Sequence, residues 1–199
     1  MITRLSYHDI DAVVRMHKSQ LPGFLSELGE SFLRKFYKVS LDIPELFSFV
    51  EKRNEQIYGF VTGTSTTNGL YKKIIYRDVL GFGFLFLRYF IVHPGQVFKF
   101  AGILAYPGFS DNIPELLTIS VDRKYQKKGV GRKLFKMIVG EFKRRAIGKF
   151  RVSVYESLPA NTFYSRVGCK FEKSFDFLGE KMNYYVYESL SLDAQKKET

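Results

Sequence analysis

Apolar residues at Ile10, Val13, Val14 and Met16 fall near helical spacing, which predicts a helix over residues 9–20 behind a short strand at 2–6. Phe32, Leu33, Phe36, Tyr37 and Val39 repeat that spacing and predict a second helix over 30–41. Two strands follow at 46–51 and 57–64, joined by a polar turn at 52–56. Beyond residue 110 the pattern is equally clear. It gives a strand at 115–121, an amphipathic helix at 133–145 with Leu134, Phe135, Ile138, Val139 and Phe142 inward, and a strand at 150–155. A short helix at 160–167 and a hairpin of 172–177 with 183–190, turning at 178–181, close the chain. The last residues, 192–199, form a polar tail expected to fray.

Between the two halves lies an aromatic insertion, residues 70–109, whose stretch 79–92 is almost wholly apolar. Crossing a bilayer takes about 20 such residues, and two glycines and Arg88 interrupt this run. The pattern therefore predicts a buried helix or a flap covered by a partner. An apolar lid over a substrate site, a homodimer surface and a membrane-surface contact stay open beside it.

Length and composition narrow the class. At 199 residues, 45% hydrophobic and 26% charged, the chain fits one soluble globular domain. A lone cysteine, Cys169, excludes an internal disulfide, and with three scattered histidines no metal-ligand cluster is expected. The opening residues lack the basic-then-apolar order of a secretory leader, so a cytoplasmic location is expected. The formal net charge is +11, which attracts nucleic acid, anionic lipid or phosphorylated ligands. Charge alone does not choose among these, but its distribution helps. Lys124, Lys127, Lys128, Arg132, Lys133 and Lys136 crowd one glycine-rich turn, which suggests a small polyanion. With no base-reading motif present, nucleic acid is not an expected partner.

That turn joins the strand at 115–121 to the following helix. Gly129 and Gly131, at alternate positions, let consecutive backbone N–H groups point into one concavity. The helix start adds unpaired donors and the positive end of its dipole. A nucleotide-triphosphate loop would need a Lys-Ser/Thr pair after its second glycine, and a dinucleotide fingerprint would need glycine where Leu134 stands. Neither is present. The pattern Gln126-x-x-Gly129-x-Gly131 instead resembles the acetyl-CoA-binding motif of the GNAT N-acetyltransferase superfamily. Residues 160–168, Ala-Asn-Thr-Phe-Tyr-Ser-Arg-Val-Gly, are similar to its A-x-x-F-Y-x-x-x-G helix, and residues 56–61 to its hairpin strand. Two positions depart from the pattern. Ser157 stands where asparagine is frequent, and Cys169-Lys170 delays the phenylalanine after the glycine to Phe171.

The resemblance implies an α/β (α+β) fold with a mixed, mostly antiparallel sheet of about seven strands flanked by helices, the insertion preceding the fourth strand. It implies one acyltransferase domain over 1–199, acetyl-CoA as cosubstrate, no metal, and a small-molecule or protein amine as acceptor. CoA would contact Ile119, Ser120 and Val121 on a strand splayed from its neighbour, then Gln126, Lys127, Lys128, Gly129, Val130, Gly131 and Arg132 at the turn. Asn161 and Tyr164 would face its pantetheine arm. Glu115, at the strand head, is the candidate base, with Glu156 and Asp111 behind it. Tyr164 is the candidate acid for the departing thiolate, its phenol near pKa 10 being protonated at pH 7. Cys169 is expected to pack rather than to carry an acyl group. A CoA-binding module without catalysis and O-acetylation of a sugar hydroxyl are the alternatives. Similarity to relatives encoded with polysaccharide genes suggests an amino-sugar or lipid-linked acceptor.

Overall fold

The computed structural model describes residues 1–98, 101, 112–177 and 179–189. Asp111 and the tail at 192–199 lie outside the described residues. Seven strands form one sheet: β1 (Ile2–Arg4), β2 (Leu46–Arg53), β3 (Gln56–Thr64), β4 (Glu115–Val121), β5 (Lys149–Tyr155), β6 (Lys170–Phe177) and β7 (Glu180–Glu188). Their spatial order is β1-β2-β3-β4-β5-β7-β6. Every pairing is antiparallel except β4 with β5. Among the described residues, the helices that pack around the sheet are α1 (Ile10–Gln20), α2 (Phe24–Glu27), α3 (Glu30–Ser40), α4 (Leu70–Arg77), α5 (Val79–Val92), α6 (Val130–Arg144) and α7 (Ala160–Arg166). The mixed, largely antiparallel architecture expected from the sequence is the one observed.

Because side chains alternate along a strand, the sheet buries two separate faces. One holds Val50 and Phe60 against α1, α3, α4 and α5. The other holds Phe47, Val61, Leu116 and Phe150 against α6 and α7. Gly59 permits the second packing. A Cβ there would stand 2.7 Å from the Ser120 carbonyl oxygen and 2.9 Å from Leu134 Cδ1. A side chain would push α6 off the sheet.

Several boundaries move. The β2–β3 hairpin turns on Asn54 and Glu55 alone, both at positive φ (46° and 64°), rather than on five residues. Such a two-residue turn matches the strand twist, and it lengthens both strands. Helix α6 starts three residues earlier than its apolar pattern indicates, at Val130, because Gly129 ends the preceding loop at φ 82°. The short α2 has too few residues to show a period.

The insertion differs most from expectation. Asp78 separates α4 from α5, its carboxylate accepting from Gly81 N at 2.8 Å while Lys35 pairs with it. On α5, Phe82 is fully buried, and Phe82 and Phe86 each pack 5.3 Å from Phe32. The helix is not buried as predicted, however, since Leu80, Phe84, Leu87 and Ile91 are exposed. A run that is apolar on every side carries no periodic signal of which face the core takes.

Candidate active site

Strands β4 and β5 start in parallel register, Glu115 opposite Arg151 and Leu116 opposite Val152, and then pair no further. From Leu117 to Val121, β4 continues beside β3 only, and β5 continues beside β7. The sheet therefore opens into a wedge at the C-terminal end of β4. The amide of Asp122 bonds to Tyr58 on β3, so strand alternation turns the main-chain groups of Ile119 and Val121 toward the wedge. The Val121 carbonyl confirms that direction by accepting from Gln126 Nε2 at 3.0 Å. Ser120, between them, is buried.

Directly beyond the wedge stands the glycine turn. Lys127 and Gly129 both have positive φ, 59° and 82°, and Gly129 is the N-cap of α6. No side chain caps that helix start, so Val130, Gly131 and Arg132 present first-turn donors there. A Cβ at Gly129 would meet nothing within 4 Å, so the backbone conformation and an open approach, not packing, call for glycine. The neighbouring cations are not all equal. Lys133 Nζ is 3.6 Å from the buried Glu51 carboxylate, and Lys128 lies over the Tyr125 ring at 5.6 Å. Tyr125 in turn stacks on Tyr58 at 3.8 Å, stiffening the loop before the turn. A pyrophosphate suits this donor set: oriented amides, a helix dipole and flanking Lys and Arg.

Glu115 heads β4 and is buried. Ser153 Oγ donates to Oε1 at 2.6 Å, and Arg151 Nη2 donates to Oε2 at 3.1 Å. Burial pushes its carboxyl above the ordinary glutamate range, outweighing the opposing effects of Arg151 and Ser153. Tyr164, on α7, is also buried. Desolvation pushes its phenol well above 10, and the charges of Cys169 and Glu115 add to that. Both residues line one cavity of about 280 Å³ that reaches from the wedge under α1, α3, α4 and α5.

Asn161, which the resemblance places against the pantetheine arm, makes its side-chain bonds within the protein. Its Nδ2 donates to the carbonyls of Tyr155, Glu156 and Leu158 at 2.9, 3.0 and 2.7 Å. Its Oδ1 accepts from Asn183 Nδ2 at 2.9 Å. Its amide thus fastens the β5–α7 loop. Glu156 does not line the cavity, whereas Glu115 does. Cys169 is buried, and desolvation pushes its thiol up to about 12, so it holds no thiolate at neutral pH.

Among the cavity residues that escaped the sequence reading are His17, Tyr71, Arg151 and Ser153. His17 Nδ1 lies 2.7 Å from Tyr37 Oη, and burial lowers the imidazole pKa to about 4, so the ring is neutral. Burial likewise raises the Tyr71 phenol, with the Glu115 charge adding to it. Arg151 and Ser153 are two apart on β5, on the face opposite Val152 and Val154. That period of two was the available signal, but recognising it required the register with Glu115.

The comparisons agree with this geometry. Residues 95–176 match the acetyltransferase (GNAT) domain family. Over that stretch the chain resembles a GNAT acetyltransferase domain. Its fold is shared across the whole chain by solved structures of low identity. An acetyltransferase of the GNAT family from Desulfovibrio desulfuricans is 15% identical with a TM-score of 0.63, the match covering 94% of this chain and 98% of that one. The ribosomal-protein-S18-alanine N-acetyltransferase from Escherichia coli is 14% identical at TM-score 0.58, over 96% and 95% of the two chains. The PaiA N-acetyltransferase from Thermoplasma acidophilum, in complex with coenzyme A, is 12% identical at TM-score 0.58, over 94% and 98%. No curated protein sequence matches the chain. The wedge and the glycine turn lie next to each other within the matched residues. Among the described residues, no helix is long and apolar enough to cross a membrane.

Proposed function

We propose that this chain transfers an acetyl group from acetyl-CoA to a primary amine, with Glu115 as base and Tyr164 as hydrogen-bond donor to the leaving sulfur. The observation carrying this reading is that both buried side chains share one cavity at the point where β4 and β5 part. Acetyl-CoA supplies an activated thioester; its diphosphate would be held at Gln126–Gly131 and its arm along Ile119–Val121.

An amine of pKa near 10.4 is almost wholly protonated at pH 7, so a proton must leave nitrogen before it attacks. Glu115 ionises at a pH raised toward neutrality by burial, which improves its match to that task. Ser153 and Arg151 hold the carboxylate in place. Nitrogen then bonds to the thioester carbon while a strand amide of β4 meets the charge developing on the thioester oxygen. The carbon–sulfur bond breaks with its electron pair on sulfur. A phenol with a pKa above 10 does not fully protonate a thiolate of pKa about 8.5, so Tyr164 steadies the sulfur by hydrogen bonding. Nitrogen gives up two protons in all: the first passes through Glu115 to solvent, and the second, lost after attack, ends on the departing sulfur, leaving amide, CoA thiol and one free proton.

The cavity also constrains the acceptor. Its walls are dominated by Phe24, Phe32, Phe36, Ile74, Phe86 and Met182. Among the described residues Glu115 is the single carboxylate lining it, and Arg151 balances its charge. Such a site favours one amine on an apolar or aromatic body and penalises a second buried cation. Thiol release from acetyl-CoA, followed with 2-phenylethylamine, a glycyl peptide and spermidine, tests this. The aryl amine should exceed spermidine at least about tenfold in kcat/KM, the scale of one unpaired buried charge. Spermidine as the best acceptor would contradict the reading.

A further inference from the structure

Leu80, Phe84, Leu87 and Ile91 recur every three or four residues along α5 and share one face, all of them exposed. Val79 and Val92 extend the exposed apolar surface to both ends of the helix. The opposite face is satisfied: Phe82 and Phe86 pack on Phe32. This helix has no need of a second apolar face to hold its place in the fold. A contiguous, unpacked apolar stripe of this kind marks a contact surface.

Charge decides the occupant. Between residues 68 and 98 the exposed basic side chains are Lys72, Lys73, Arg77 and Arg88, of which Lys73 pairs with Glu45, against one carboxylate, Asp78, which pairs with Lys35. A second copy docking through this face about a two-fold axis would bring both basic sets together. An anionic bilayer surface instead rewards both the stripe and its flanking cations. At 14 residues α5 is too short to span, so it would lie in the interfacial plane.

We propose that the outer face of α5 seats this protein on anionic lipid surfaces, with Leu80, Phe84, Leu87 and Ile91 entering the headgroup–acyl boundary. Phe86, on the inner face of the same helix, walls the cavity that holds Glu115, so an amphiphilic amine held in the bilayer would lie close to its site. The seating itself does not depend on which residue acts as base.

The test is co-sedimentation of the full chain with phosphatidylcholine vesicles, with and without about 30% phosphatidylglycerol, alongside a Phe84→Glu/Leu87→Glu double variant. Both positions are more than 60% exposed, so the variant should fold, which unchanged acetyl-CoA titration and melting would verify. Wild type should partition onto the anionic vesicles, and the variant should lose about tenfold or more of that partition. Equal binding by both proteins would assign lipid attraction to the general +11 charge and overturn the proposal. So would no partition at any composition, or a wild-type dimer in sedimentation equilibrium that the variant abolishes.

Discussion

Replacing Glu115 with glutamine removes one proton acceptor while keeping the side chain's size. At pH 7 an amine of pKa 10.4 lies 3.4 pH units below its midpoint, about 4.6 kcal/mol of deprotonation free energy. A positioned base typically recovers about 10²–10⁴ in rate. The variant should therefore lose about 10²–10³ in kcat/KM at pH 7, read by thiol release at saturating acetyl-CoA. The shape of the pH profile is more telling than the size of the loss. In the wild type, kcat/KM should climb as Glu115 ionises, at a pH above the usual carboxylate range, and then level off. In the variant it should keep rising about tenfold per pH unit toward the amine pKa, so the gap narrows in alkali. The substitution also leaves Arg151 buried without its anion, and breaking such a pair costs up to about 3–5 kcal/mol. Glutamine retains an acceptor oxygen, so the loss should fall below that, with Tm lower by several degrees. Activity and Tm are thus read separately. A variant that keeps the wild-type profile, levelling at the same pH, would refute Glu115 as base whatever happens to its stability.

Two further predictions concern the leaving group and acid stability. Tyr164→Phe should lower kcat by about tenfold or more while leaving acetyl-CoA affinity nearly intact; equal loss of both would make Tyr164 a packing residue. Glu141 accepts from Arg144 and Arg145, with Arg4 alongside, and the Arg144 bonds foremost hold its carboxyl down to about 2. Its folded pKa being depressed, the stability it adds is complete above about 4.5 and is lost as pH falls toward 2. Because Arg4 and Arg144 are exposed, screening limits this to about 1–2 kcal/mol. Chemical denaturation of wild type and Glu141→Gln at pH 7 and pH 3 should show the difference between them shrinking in acid. A constant difference would remove the ion cluster as its cause.

What could be read from the sequence was what local physics controls. Val13, Val14 and Met16 announced α1 through spacing alone, and Gly129 with Gly131 announced the turn, because a positive φ and an open helix start are properties of a few adjacent residues. The site's partners were hidden because they depend on register. Arg151 and Ser153 meet Glu115 only since β4 and β5 pair for two residues before parting. Asn161 illustrates the converse: its helix-start position was visible, but not that loop carbonyls and Asn183 would use up its amide. The half-exposure of α5 was beyond a pattern with no polar positions to mark its outer face.

The central claim, that the turn at Gln126–Gly131 holds acetyl-CoA, is tested most directly by isothermal titration of acetyl-CoA into the wild type and Gly129→Glu. Glutamate there must adopt φ near 82° and sets a negative charge where a diphosphate should lie. Saturable binding in the micromolar range, reduced at least about a hundredfold in the variant, is the predicted result. Equal affinity in the two proteins, or no wild-type binding at millimolar acetyl-CoA, would contradict it.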